Sequence, residues 1–328
     1  MLLDPKQKSV ESIFDQKLEI RSPAKIAWLR LRANKVAFYS GFVALFFVVC
    51  AFAAPLIAHL MNLDPTTQYS KNIADTGLPF GHFGGISLTH PLGLEPGVGR
   101  DLMTLLLYGS RISFTVAIIT SFFSIGIGMI IGIVSGYYGG RVDAIIGRIS
   151  DFILSFPSTF MIVALSIPLT QRIEATKIAR DNGARIIVLI IFFVIFGWPG
   201  FARLVRSQVL SLRERDFVMA AQSQGASGFR IVIKELLPNL WPTAIVFLSL
   251  SLPGFLAAEA VFSFLGVGVQ APASTWGLVL SDAVGYWQQD PTYLLIPSMM
   301  LVIVVLSLNL FGDGLRDALD PKSESAKL

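Results

Sequence analysis

Cysteine is almost missing from these 328 residues. Cys50 stands alone inside an apolar run, which leaves neither an intrachain disulfide nor a cysteine metal site open to the chain. The three histidines, His59, His82 and His90, show no ligand spacing, so no metal site is expected. Charge is thin: 15% of residues are charged, against about 25% in ordinary soluble domains. No GxxxxGK[ST] loop occurs, so nucleotide binding by this chain is not expected. Serines and histidines form no nucleophile and base constellation, and no catalytic residue is predicted. Acidic residues deep in apolar runs reduce to Glu259, and residues 266–292 hold neither lysine nor arginine.

What fills the space is hydrocarbon. Hydrophobic residues make up 53% of the chain and the mean hydropathy is +0.66, with long apolar runs separated by clustered charge. A run of about 20 such residues crosses a bilayer. Hydropathy predicts an all-α integral membrane protein with about six transmembrane helices, at about 37–61, 111–138, 150–170, 185–204, 240–265 and 293–312. Residues 1–36 form a basic N-terminal segment, and the apolar run after them is too long for a cleaved signal, so it reads as a retained span. Residues 62–110 make a loop, residues 111–312 the main membrane core, and residues 313–328 a tail.

Basic residues orient these spans. Lys6, Lys8, Lys17, Arg21, Lys25, Arg30, Arg32 and Lys35 precede the first; Arg141 and Arg148 lie in the second connection; Arg203, Arg206, Arg213, Arg215, Arg230 and Lys234 lie in the fourth; Arg316, Lys322 and Lys327 follow the last. Both termini are therefore expected in the cytoplasm. One segment opposes the rule: Arg172, Lys177, Arg180 and Arg185, in the third connection, fall on the expected outer side.

Three sets of residues carry structural or functional signals. Ser124, Gly128, Gly132 and Gly136 recur every four residues, a small-residue face for close helix packing or, alternatively, for lining a pore. Glu259 must face protein or water, as a structural partner for an arginine or a serine such as Ser263, or as part of a path. Asp151 reads as a cap at the start of the third span. The third set is residues 216–238. Phe217, Ala220, Ala221 and Gln224 fall at helical spacing, Gly225 permits a sharp turn beside Ala226, and Ser227 can cap a second helix. In that second helix Phe229, Val232, Ile233, Leu236 and Leu237 are expected on one stripe, Arg230 and Lys234 on another, with Pro238 and Pro242 marking re-entry into the membrane. Such a helix-turn-helix either lies on lipid headgroups or docks a cytoplasmic partner.

Ala220-Ala221, Gly225, Ile233 and Leu237-Pro238 resemble the coupling (EAA) loop of ABC importer permeases. The chain as a whole resembles the C-type permease of the dipeptide, oligopeptide and nickel importer family, through AWLRLRANK, HPLG, GRDLMTLLLYGSRIS, GYYGGRVDAIIGRISDFILSFP, WPGFARLVRSQVLSLRERDFVMAAQSQGAS, EAVFSFLGVGVQAPASTWG and NLFGDGLRDALDP, in that order. Met219 replaces an acidic residue of the generic motif, GLEPGVGRD replaces the usual GTDxxGRD, and the basic insert at 171–185 is longer than the family pattern. The resemblance implies a non-enzymatic permease of the prokaryotic inner membrane. It implies pairing with a second homologous permease, two cytoplasmic ATPases that bind ATP and Mg, and an external substrate-binding protein. The loop at Ala220, Ala221, Gly225, Ala226, Ser227, Phe229, Arg230, Ile233 and Pro238 would seat in an ATPase groove. Membrane lipid, not nucleic acid, surrounds such a chain. Peptides are the implied cargo, with nickel chelates, glutathione or sugars as alternatives. A secondary transporter would instead show inverted repeats and intramembrane coupling charges.

Overall fold

A computed structural model describes residues 23–320; Lys6, Lys8, Lys17, Arg21, Lys322 and Lys327 lie outside them. The described chain is helical, and its β-pairing is confined to isolated bridges. Five helices are long and apolar enough to cross a membrane, and a bent pair brings the number to six.

Helix α1 (Pro23–Ala33) precedes α2 (Lys35–Phe52), the first crossing. The expected span of 37–61 ends early: Ala53 interrupts it and α3 (Ala54–Leu60) begins afresh with Pro55, which has no N–H to continue the ladder. Helix α4 (Leu102–Tyr138) starts nine residues before its hydropathy span because the Asp101 carboxylate accepts from the Thr104 amide at 2.9 Å and hydroxyl at 2.7 Å. Gly139, at φ +64°, ends it.

The third span is corrected most. In place of one helix over 150–170, α5 (Gly140–Ser155) and α6 (Ser158–Ala175) meet at 82° across Phe156 and Pro157. Proline disfavours the helical conformation of the residue before it, and Phe156 is extended, at ψ 135°. Asp151 is therefore no cap. It sits within α5, exposed, 2.5 Å from Nη2 of Arg203. Helices α7 (Asp181–Leu212), α8 (Asp216–Ser223), α9 (Gly228–Phe264), α10 (Trp276–Ala283) and α11 (Pro291–Leu319) complete the chain.

Alternating helix directions place α1, the end of α11 and the α7–α9 connection at one end of the bundle, the terminal end, where Arg30 donates to the Asp320 carbonyl at 3.0 Å. The other, distal end carries residues 62–101 and α10. There His90 Nδ1 lies 2.9 Å from Asp101, and Arg100 makes paired hydrogen bonds to Glu95 at 2.6 and 2.8 Å. Trp276 of α10 is fully buried; it donates to the Leu106 carbonyl and meets Phe47 and Phe114 edge-on, which fastens this cap to α2 and α4.

Helices α4 and α7 pack along the small-residue stripe. Trp198 O, Ala202 O and Arg206 O of α7 repeat every four residues, as do Gly128, Gly132 and Gly136 of α4, and a β-carbon at those glycines would stand 2.9, 2.6 and 2.9 Å from them. Only bare backbone fits such a crossing.

Candidate functional site

The helix-turn-helix of residues 216–238 is built from its turn outward. Helix α8 closes with the Gly225 amide bonded to Gln222 O at 2.9 Å and the Ala226 amide to Ala221 O at 3.0 Å, the paired bonds of a Schellman end. Gly225 stands at φ +78°, a conformation that costs an L-residue about 1–2 kcal/mol. A β-carbon there would touch nothing, so the requirement is conformational and not steric. The same motif brings Ala221 toward Ala226, and both pack against the cluster of Val205, Val209, Val218 and Ile231. Ser227 then caps the next helix, accepting from the Arg230 amide at 3.4 Å. Gly228 lies on the Tyr137 ring, where a β-carbon would come within 3.2 Å.

The second helix departs from the expected stripe. It is not a separate element but the first turns of α9, joined through a π-turn at Val232–Leu236. Pro238 has no amide and its ring would press on the Lys234 carbonyl of a regular helix; the wider turn relieves that contact. The Leu237 amide bonds to Val232 O, and Asn239 donates to Glu235 O at 2.6 Å, which satisfies a carbonyl of the widened turn. One extra residue shifts the phase. The buried residues are thus Ile231, Leu236 and Leu240, while Phe229 (75% exposed) and Ile233 (44%) point outward instead of sharing the buried stripe. Pro238 opens no new helix; it lies within a continuous one.

Two faces result. Val218, Ile231 and Leu236 are buried against α4 and α7, whereas Phe217, Met219, Ala220, Phe229, Arg230, Ile233 and Lys234 are exposed. Around them the terminal end is cross-braced. Asp143 of α5 takes two hydrogen bonds from Arg206 of α7, at 2.5 and 2.6 Å, and one from Ser135 of α4. Arg213 donates to the Gly136 carbonyl. This brace was not singled out from sequence, because neither charge lies at a spacing that links it to the other.

Glu259 is fully buried near the distal end of α9. Ser113 of α4 donates to one oxygen at 2.5 Å and Ser263 to the other at 2.7 Å; Thr275, the cap of α10, adds a third bond. The carboxyl joins three elements. An opening of about 380 Å³ between α6, α7 and α9 is edged by Ser158, Thr159, Gly197, Ser251 and Gly254 among phenylalanines that include Phe193 and Phe255. Beside it Thr120, Ser121 and Ser124 are buried without hydrogen-bond partners among the described residues. Gly197 is tied to this spot, a β-carbon there falling 2.7 Å from Ser124 Oγ.

These features define a multi-pass membrane permease in which the amphipathic segment of residues 216–238 runs on into a span. The chain belongs to the family of binding-protein-dependent transport system inner membrane components, which matches residues 128–325. The N-terminal transmembrane domain of oligopeptide transport permease C matches residues 22–78. The dipeptide transport system permease protein of Alkalihalophilus pseudofirmus is 36% identical over 304 residues, 93% of this chain and 91% of that one. The oligopeptide transport system permease protein of Escherichia coli K12 is 32% identical over 324 residues, 98% and 99%. The glutathione transport system permease protein of Pectobacterium atrosepticum is 32% identical over 306 residues, 93% of both. A chain of the inward-facing MetNI methionine ABC transporter shares the fold, with TM-score 0.50 and 24% identity over 67% of this chain and 98% of that one.

Proposed function

We propose that this chain is a permease subunit of an ATP-driven importer of dipeptides or oligopeptides in the inner membrane. Its terminal end faces the cytoplasm and its distal end the exterior. The cargo reading rests on the dipeptide and oligopeptide permeases that align over nearly the whole chain; glutathione, itself a peptide, is the cargo named for another such relative.

In this reading a second, homologous permease closes the translocation path against the cleft beside Gly197 and Gly254. Two cytoplasmic ATPases bind ATP and Mg, and an external binding protein delivers substrate at the distal cap. The chain transmits motion and does no chemistry. One observation carries the reading: the coupling element is fused to α9 without a flexible joint. A 37-residue helix is about 55 Å long, enough to connect an ATPase groove with the Glu259 junction near the far end. Displacement of Phe229 and Ile233 by a closing ATPase dimer would therefore move α9 as a lever, and the Val218, Ile231 and Leu236 contacts would carry it to α4 and α7.

Reporter fusions test orientation: sites at Gly140 and Ser227 should report cytoplasm, and sites near Ile73 and Ala273 the exterior. An external signal at Ser227 would sink the arrangement. Purified alone and reconstituted, the chain should transport nothing; peptide uptake should appear only with ATPases, the paired permease, binding protein and ATP. Uptake by the lone chain would favour a secondary carrier.

A further inference from the structure

Five cations gather at the distal end: Arg111 on α4, and Arg172, Lys177, Arg180 and Arg185 between the end of α6 and the start of α7. They oppose the basic-residue rule, and none forms an ion pair among the described residues. Glu174, which accepts from the Asp181 amide at 3.1 Å, and Asp181 offset two of the five charges and leave a net positive excess. Nor is this a slack loop. Asn182 and the Gln270 backbone exchange hydrogen bonds at 2.7 and 2.8 Å, Arg185 reaches the Gly268 carbonyl at 3.5 Å, and Ala184 is fully buried.

Three of the cations, Arg111, Arg180 and Arg185, border two clefts. One, of about 560 Å³, is walled by Tyr108, Arg111, Ile112, Ile186 and Pro272; the other, of about 540 Å³, by Arg180, Arg185, Asn182, Gln270 and Pro272 together with the carboxylates of Glu174 and Asp181. Pro272 belongs to both, and the consecutive Arg185 and Ile186 contribute one to each. Each volume suits a small ligand. Guanidinium groups match a carboxylate's two oxygens, and the apolar walls suit the side chains next to it.

We propose that the paired clefts form an outer-mouth site that receives a peptide by its C-terminal carboxylate, with Arg111 and Arg185 as the anion-binding groups. Arg172, Lys177 and Arg180 raise the local potential and so the local concentration of anions. The assignment rests on the reading of the distal end as external and of the cargo as peptide. A concave, partly apolar setting favours a small anion over the acidic face of a protein, which would meet a convex basic patch.

The test uses the complete transport complex in lipid nanodiscs, carrying Cys50→Ser and Ala273→Cys. An anionic methanethiosulfonate should modify residue 273 roughly tenfold faster than its cationic analogue, after correction for a free thiol. Arg111→Gln with Arg185→Gln should lower that ratio several-fold, the three remaining cations holding it above one, and the corresponding lysine pair should keep most of it, which separates charge from misfolding. Tri-alanine should slow modification while tri-alanine amide should not, and the glutamine pair should slow uptake of the acid more than that of the amide. Equal protection by acid and amide, or an unchanged reagent ratio, would overturn the proposal. So would loss of stimulation by loaded binding protein for both peptides alike, which would mark a protein-docking face. If the unaltered complex moves no peptide, the cargo reading falls, and the reagent ratio still reports on the arginines.

Discussion

Gly132 of α4 faces the carbonyl oxygen of Ala202 of α7 across a gap that a single β-carbon would narrow to 2.6 Å, with the Val205 side chain equally close. Gly128 and Gly136 repeat the relationship one turn away on either side, so the two longest-buried helices meet backbone to backbone. Gly132→Leu should force them apart, at about 1–3 kcal/mol or more. We expect a lower melting temperature of the detergent-solubilised chain and poorer recovery of assembled complex. Unchanged melting with normal uptake would contradict the packing.

Gly225 offers the opposite case, since it has space but no freedom. Gly225→Val should cost about 1–3 kcal/mol locally through backbone strain, and Gly225→Asn much less. Insertion into the membrane should be unaffected by both. Co-purification with the ATPases should fall for valine and survive for asparagine; equal recovery would show that the Schellman turn does not set the docking geometry.

Ile233 and Lys234 separate packing from charge in the coupling element. Both are exposed and neighbours in sequence. Ile233→Asp should remove ATPase coupling by placing a charge in an apolar contact, whereas Lys234→Ala should change affinity by under about 1 kcal/mol. ATPase stimulation by loaded binding protein measures both, and a larger loss for Lys234→Ala would reverse the assignment.

In the distal cap, Arg100 and Glu95 are nearly buried, at 13% and 5% side-chain exposure, and the Glu95 hydrogen bonds raise the Arg100 pKa further above its usual range. Arg100→Ala strands a carboxylate and should destabilise the chain by about 3–5 kcal/mol. Adding Glu95→Gln should restore part of that, and a double variant no better than the single would show that the two do not act as a pair.

Burial, with the nearby Glu95 carboxylate, raises the Asp282 pKa above the usual carboxylate value, and Arg100 opposes the shift. A raised carboxyl binds its proton more tightly in the folded state, so its contribution to stability is greatest at low pH. That contribution declines as pH rises from about 4 through the folded pKa, then stays flat. Asp282→Asn should remove this slope: thermal melts at pH 4 and pH 7 should converge relative to the parent, and an unchanged difference would assign the slope to another group.

The sequence made helices, their number and the small-residue face legible because each depends on local period and composition. Gly128, Gly132 and Gly136 announce a close crossing whatever lies opposite. The identity of the opposing carbonyls, on Trp198, Ala202 and Arg206, required the fold. The bend at Pro157 was visible as a proline, yet its 82° depends on α5 packing against α4 and α7. Phe229 and Ile233 leave the buried stripe for a definite reason: a regular 3.6-residue period does not hold across a stretch where Pro238 forces a wider turn. Pairs such as Asp143 with Arg206, 63 positions apart, leave no periodic trace.

The π-turn at Val232–Leu236 also acts as a phase setting. It holds one residue more than an α-helical turn needs, so deleting a residue there would return the helix to regular winding and rotate everything before it by about 100° about the axis of α9. Phe229 would be carried round while Leu240, Ala244 and the rest of the buried span kept their neighbours. The aim of the exposed face at Phe229 and the packing of the span are thus set by separate residues of one helix, so that face can be re-pointed without rebuilding the membrane core.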